Sequence, residues 1–289
     1  MRGFNVVAMI IPVEIEQLRK WIGREQTDTE VLTPAFVRRF NATFDRDAPT
    51  EIGDRAPMLI HYCLTQPSAP CASLGPDGHP ERGDFLPPVP LPRRMWAGSS
   101  ITFHGEINVG DLLHRRATVK NAELKQGRSG RLCFVTVEHE ISCRGHLVVS
   151  ECQDIVYRDG DTAAGVTAFA SQIAPAGSYS RRVVPSAPML FRYSAITFNS
   201  HRIHYDKPYA IETEGYPGLV IHGPLQATLL CQMAADLKGR TPRMFRFRSQ
   251  SPIFNDTDFA TNAQEDFKGL RLWTSRRDGP IAMEAFAEW

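Results

Sequence analysis

Hydrophobic positions in the first third of the chain recur at helical spacing, whereas later stretches alternate or run together as strands do. Val13, Ile15, Leu18, Trp21 and Ile22 predict a short amphipathic helix over residues 13–22, ended by Gly23. Thr33-Pro34 is a helix start, with threonine as cap and proline at the first helical position. Phe36, Val37, Phe40 and Phe44 then share one apolar face. Residues 57–64 form a third, short helix candidate that breaks at Pro67. Residues 66–92 are dense in Pro and Gly, and a loop of that length inside a compact domain is often functional or mobile.

From residue 94 to 157 the pattern changes to strand. Residues 100–104, 112–124, 132–141 and 147–157 are the segments, separated by turns at Gly110-Asp111 and at residues 126–130. Their short connections predict an antiparallel meander. A stretch rich in Ala, Gly, Ser and Thr at residues 161–180 marks a boundary between an N-terminal unit, 1–160, and a C-terminal unit, 181–289. The second unit repeats the plan: an irregular lead-in, an apolar helix from Pro224 to Leu237 closed by Gly239, and strands over residues 243–288. The repeat is also local, since Phe40-Asn41-Ala42-Thr43-Phe44-Asp45 matches residues 193–199 with one insertion. Two copies of helix-then-meander predict an α+β architecture, each sheet wrapped around its own helix.

Composition changes this picture little. The chain has 289 residues, 42% hydrophobic and 22% charged, as in ordinary soluble domains. A net charge of +1 offers no argument for nucleic acid or membrane. Cys63, Cys71, Cys133, Cys143, Cys152 and Cys231 include no Cys-x-x-Cys pair, so neither a metal centre nor a disulfide framework is expected. The apolar opening at residues 4–13 lacks the cationic run and cleavage site of a signal peptide. The expected location is cytoplasmic.

Chemistry concentrates in residues 192–237. Asn199 and His204 lie five apart in a polar, irregular segment, and His222-Gly223-Pro224 opens the apolar helix. The free N–H groups and dipole of a helix start favour negative charge. A base beside such an end suits work next to a carbonyl. The first copy has Thr50 where the second has its histidine, so one working site is expected.

The run Thr197-Phe198-Asn199-Ser200-His201-Arg202-Ile203-His204-Tyr205-Asp206, followed by His222-Gly223, resembles the MaoC-like hydratases and dehydratases of acyl-thioesters. Within that group the chain is similar to hydroxyacyl-thioester dehydratase type 2 and to itaconyl-CoA and mesaconyl-C4-CoA hydratases. The resemblance implies a double hot-dog fold and reversible addition of water to a short unsaturated acyl-CoA. It also implies a homodimer and no cofactor, coenzyme A being part of the substrate. The wider group has Asp where this chain has Asn199, and Asn cannot accept a proton. The roles implied are His204 as base, Asn199 as water-orienting amide and the Gly223 N–H as oxyanion donor.

For the remaining candidates, substrate contact competes with plainer explanations. His201 faces away from His204 if the segment is extended, leaving surface and substrate contact both open, and His222 shapes the turn. Arg192 and Arg202 flank the motif and can meet a substrate carboxylate, although Arg202 can equally pair with Asp206 four residues on. Arg243, Arg246 and Arg248 alternate with phenylalanines, as on a strand with one solvated face, or serve phosphates. A hot-dog thioesterase, a fatty-acid-type 3-hydroxyacyl dehydratase and a dead acyl-binding module are the alternatives. The absence of Asp or Glu from residues 224–233 argues against the thioesterase.

Overall fold

A computed structural model describes residues 14–127, 130–158 and 172–289. The apolar opening at 4–13, the tip of the turn at 126–130 and residues 161–171 of the expected linker lie outside the described residues. The end of that linker is corrected: Tyr179 and Ser180 begin a strand.

Among the described residues, ten strands form one antiparallel sheet. They are β1 (Glu25–Val31), β2 (Arg93–Phe103), β3 (Leu112–Gly127), β4 (Gly130–Cys143), β5 (His146–Arg158), β6 (Tyr179–Val183), β7 (Met244–Ser249), β8 (Phe259–Asp266), β9 (Gly269–Arg276) and β10 (Ile281–Glu288). Their order across the sheet is β1-β3-β4-β5-β2-β7-β10-β9-β8-β6. Matching β1–β5 to β6–β10 in chain order makes that order the same from either end. The two halves therefore meet edge to edge at β2 and β7, paired from Gly98↔Arg248 to Thr102↔Met244. Each half covers an edge the other would expose. β3, β4 and β5 form the expected meander, but β2 crosses over to pair with β5 rather than with β3.

The helices are α1 (Ile15–Arg19), α2 (Pro34–Thr43), α3 (Ala187–Ile196) and α4 (Gly223–Lys238). α2 and α3 are counterparts built by the same local rules. Thr33 Oγ1 accepts the Phe36 N–H, and Ser186 Oγ accepts the Met189 N–H, each with proline in the first turn. They pack together, with the Phe44 and Tyr193 rings 5.9 Å apart. Asp45 and Phe198, just past their ends, both take positive φ (50° and 48°). α4 lies against β7–β10 with Leu225, Ala227, Leu230, Cys231 and Ala234 fully buried, and Gly239 closes it in the left-handed conformation.

The first half departs from the expected plan. Residues 57–64 hold only one 3-10 turn, Ile60–Cys63, instead of a helix. Leu59 takes φ +60°, outside the right-handed helical region, and so interrupts the span before the turn. Leu59-Ile60-His61-Tyr62 at that turn parallels Val220-Ile221-His222-Gly223 at the start of α4. Tyr62 stands in the place of the glycine, buried and donating to Glu151 Oε1 at 3.0 Å. The double hot-dog therefore has one long central helix among the described residues, and none of the helices there is long and apolar enough to cross a membrane.

Candidate active site

α3 ends at Ile196, and a tight turn follows in which Asn199 N–H donates to Ser194 O (2.9 Å). Asn199 Oδ1 accepts the His201 N–H at 3.0 Å, a local turn that takes up the amide oxygen. A 3-10 turn, Arg202–His204, then carries His204 inward, where it is 8% exposed. Its Nδ1 lies 2.7 Å from Val220 O. A carbonyl only accepts, so Nδ1 carries the hydrogen and Nε2 keeps its lone pair. The imidazole stacks on His222 at 3.7 Å with 19° between the planes.

His222 is fully buried and caps α4. Its Nε2 lies 2.8 Å from Ser194 Oγ, and its Nδ1 has no partner among the described residues. His204 thus rests on the residue preceding the Gly223 N–H, which opens α4 ahead of any intrahelical acceptor. A Cβ on Gly223 would meet nothing closer than Ser249 Oγ at 3.7 Å. The fold itself does not require glycine there.

His201 is 9% exposed and lies edge-on to His204, with 5.4 Å between rings. On its other side is His79, with centroids 4.1 Å apart. His79 comes from the long loop at 66–92, which sequence reasoning left unplaced. Asp77 on the same loop holds His79, with Oδ2 3.0 Å from Nδ1. The spacing Asp77-x-His79 inside an unusually long loop was the signal available for it.

Burial drives the electrostatics. It depresses the His204 imidazole to about 4, with the Val220 hydrogen bond opposing and the charge of His79 assisting. Burial also lowers His222 and His201. It lowers His79 too, but there Asp77 pulls the other way. Burial pushes the Asp77 carboxyl up, yet its hydrogen bonds from His79 hold it below the usual range. His204, His201 and His222 are thus bases stored neutral, with a consequence for stability. A depressed imidazole is protonated first in the unfolded chain, so its contribution is complete above about pH 6.5 and is lost as pH falls toward 4. His204 alone should cost ~3 kcal/mol across that window. Melting curves between pH 7.5 and 4.5 should show the loss in the wild type and a shallower slope in His204→Asn; equal slopes would contradict it.

The arginines named as substrate candidates have protein partners or face solvent. Arg202 is held by Asp206 (Nη2–Oδ2 2.8 Å, Nε–Oδ2 3.0 Å), donates to Pro76 O and stacks on Tyr209. It fastens the loop, as the plainer explanation required. Arg192 is exposed and donates to Ala42 O, joining α3 to α2. On β7 the phenylalanines are buried while Arg246 and Arg248 point to solvent, and Arg243 pairs with Glu288. Strand alternation turns Arg246 and Arg248 away from the buried face, and Arg243, just before the strand, is held by Glu288. The cations whose charge bears on His79 are Arg94 and Arg82. Arg82 donates to the Val89, Leu91 and Pro92 carbonyls, and Arg94 stands near the start of β2 opposite Tyr157.

The chain is similar to known proteins in sequence and in fold. The chain is 41% identical over 270 residues to a mesaconyl-C(4)-CoA hydratase of Chloroflexus aurantiacus, covering 93% of this chain and 96% of that one. Its fold is similar to that of HtdX from Mycobacterium tuberculosis, with a TM-score of 0.66 at 20% identity over 91% of this chain and 99% of the other. A second M. tuberculosis protein, described as a double hotdog fold, matches at TM-score 0.54 and 12% identity, covering 92% and 97% of the two chains. A family model matches residues 59–255, spanning the Asp77–His79 loop, the Asn199–His204 turn and the opening of α4. With more than half its length inside that match and its site within it, the chain belongs to the hydroxyacyl-thioester dehydratase type 2 family.

Proposed function

We propose that this protein is a hydro-lyase that reversibly adds water across the double bond of an unsaturated acyl-CoA, giving the β-hydroxyacyl-CoA. The observation that carries the proposal is the stack of His204 on His222 beside Gly223, which sets a neutral base next to an unpaired helix-start N–H. His204 Nε2 takes a proton from water, and the hydroxyl oxygen bonds the β-carbon. The thioester oxygen gains charge as the double bond shifts, and the Gly223 N–H is placed to receive it. Asn199, its oxygen already accepting the His201 N–H, can offer the water its amide N–H groups. No cofactor is needed.

The substrate proposed is a short, branched dicarboxylic acyl-CoA of the mesaconyl-C4 or itaconyl type, giving citramalyl-CoA, in a cytoplasmic homodimer with one working site per chain. The 41% identical relative supports the acyl class. A buried second carboxylate needs a cation, and Arg94 replaces Arg202 as the residue proposed to meet it. Arg94→Gln should reduce kcat/KM for the dicarboxylic substrate by the equivalent of ~3–5 kcal/mol, and far less for crotonyl-CoA. Equal losses with both substrates would remove Arg94 from this role.

A thioesterase would want a carboxylate on the central helix. The first acidic residue of α4 is Asp236, near its far end and paired with Arg46 at 2.8 Å. Incubation with a panel of enoyl-CoA thioesters, with products resolved by mass and free thiol measured in parallel, tests the proposal. Hydrated thioesters without thiol release are expected; thiol release from a saturated acyl-CoA would support the hydrolase instead.

A further inference from the structure

Hydration moves two protons, one from water and one to the α-carbon, and His204 accounts for one of them. Asn199 cannot account for the other, because a carboxamide does not titrate. The loop at residues 76–79 brings a group that can. It is built against the motif: Ser200 Oγ donates to Gly78 O, Arg202 N–H donates to Asp77 O at 2.9 Å, and Arg202 Nη1 donates to Pro76 O at 3.1 Å. Gly78 has φ +86°, and a Cβ there would sit 1.9 Å from Ser200 O, so no other residue fits.

Within that loop Asp77 grips His79 twice, accepting its backbone N–H and its ring Nδ1, both at 3.0 Å. The carboxylate fixes the hydrogen on Nδ1 and leaves Nε2 for proton exchange, as an orienting acid does for a catalytic imidazole. The rings then run His79, His201, His204, His222 in contact order, at 4.1, 5.4 and 3.7 Å. His79 is the one of these four that touches a carboxylate among the described residues. His222 has its Nε2 on Ser194.

We propose that the Asp77–His79 pair is the second proton-transfer group of this site. The proposal rests on the hydro-lyase reading above. In hydration, His204 Nε2 takes one proton from water and the resulting oxygen bonds the β-carbon. The π electrons of the double bond form the new α-C–H bond with the proton released by the His79 imidazolium. His204 ends protonated and His79 neutral, and one proton returns to His79 through His201 or solvent before the next turnover. Dehydration runs the same steps backward, with no oxidant or reductant.

The groups facing His79 set the pH dependence. Asp77 holds a proton on it, while Arg82, Arg94 and burial disfavour the charge, and His201 stacks against it. Hydration should therefore fall as pH rises through the His79 pKa, which lies below the ordinary histidine value. Donor atoms of Asp77, His79 and His201 also lie within 4.8 Å of one another, a spacing an ion accepts. Yet one Asp77 oxygen is bonded to His79 Nδ1, and rings stacked with 39° between planes do not aim their lone pairs at a common centre.

The test uses the full chain as wild type, His204→Ala, His79→Gln, Asp77→Asn and Asp77→Glu. Hydration of mesaconyl-C4-CoA and crotonyl-CoA is followed across pH, with exchange of the α-hydrogen of the hydroxyacyl product in D2O. His79→Gln should lower kcat ~10²–10³-fold with little change in KM, and abolish the exchange. Asp77→Asn should move the alkaline limb to lower pH, because the imidazolium loses its counter-charge, and Asp77→Glu should restore it. Activity of His79→Gln within about threefold of wild type would overturn the proposal. So would a loss confined to KM or Tm with an unmoved limb in Asp77→Asn, or inactivation by chelator reversed by zinc. If wild type hydrates neither thioester, the hydro-lyase reading fails and takes this proposal with it. If wild type is active and only His204→Ala is dead, the proposal alone fails.

Discussion

Replacing His204 by alanine should lower hydration by ~10²–10⁴-fold, the range for loss of a general base. Two contacts hold the imidazole ready to act as one, since Val220 O fixes the hydrogen on Nδ1 and His222 fixes the plane of the ring. Alanine also leaves a small void against His222, so a second variant separates chemistry from packing. His204→Asn retains an N–H for Val220 O but has no group that takes a proton from water at neutral pH. Both variants should keep the wild-type circular dichroism and lose kcat far more than KM. Activity within a few-fold of wild type in either would remove His204 from the base role.

Adding one methyl group at Gly223 should cost ~10²–10³-fold in kcat, comparable to loss of an oxyanion donor, while leaving the fold intact. Its Cβ would meet ordinary contacts of 3.7 and 3.9 Å, and alanine is the better helix former. Stability and activity should therefore separate: an unchanged or raised Tm beside a large fall in turnover. The physical reason is that the thioester oxygen must come within ~3 Å of the Gly223 N–H, and a side chain there stands in its way. Full activity of a folded Gly223→Ala would place the oxyanion donor elsewhere. Tyr62, at the matching place in the first half, illustrates how a side chain closes such a site.

The site was legible where chemistry lies close together in the chain. Asn199, His204, His222 and Gly223 fall within one short stretch, and the caps Thr33 and Gly239 act as their residue types require. β4 and β5 were visible because β-branched residues repeat along them, and β3 because turn signals bound it on both sides. β1 was not, since its half-buried positions are Gln26, Asp28 and Glu30 and carry no hydrophobic signal. Glu30 instead accepts the Thr65 N–H, a contact between distant segments that no periodicity reveals. His79 escaped for the same reason: 122 positions separate it from His201, and only the folded chain stacks the two rings. The partners of the arginines were not legible, because charge near a motif in sequence says nothing about which group it meets in space. Arg202 meets Asp206 and the loop carbonyl, whereas Arg94 arrives from another strand.

The central claim is that water adds to carbon and that the thioester bond survives. Wild-type protein incubated with mesaconyl-C4-CoA in ¹⁸O-labelled water decides it, with products analysed by mass and free thiol measured together. The expected product is an intact thioester carrying one ¹⁸O in a new hydroxyl on the β-carbon, with none formed by His204→Ala. Label in a carboxylate accompanied by free coenzyme A would contradict the account.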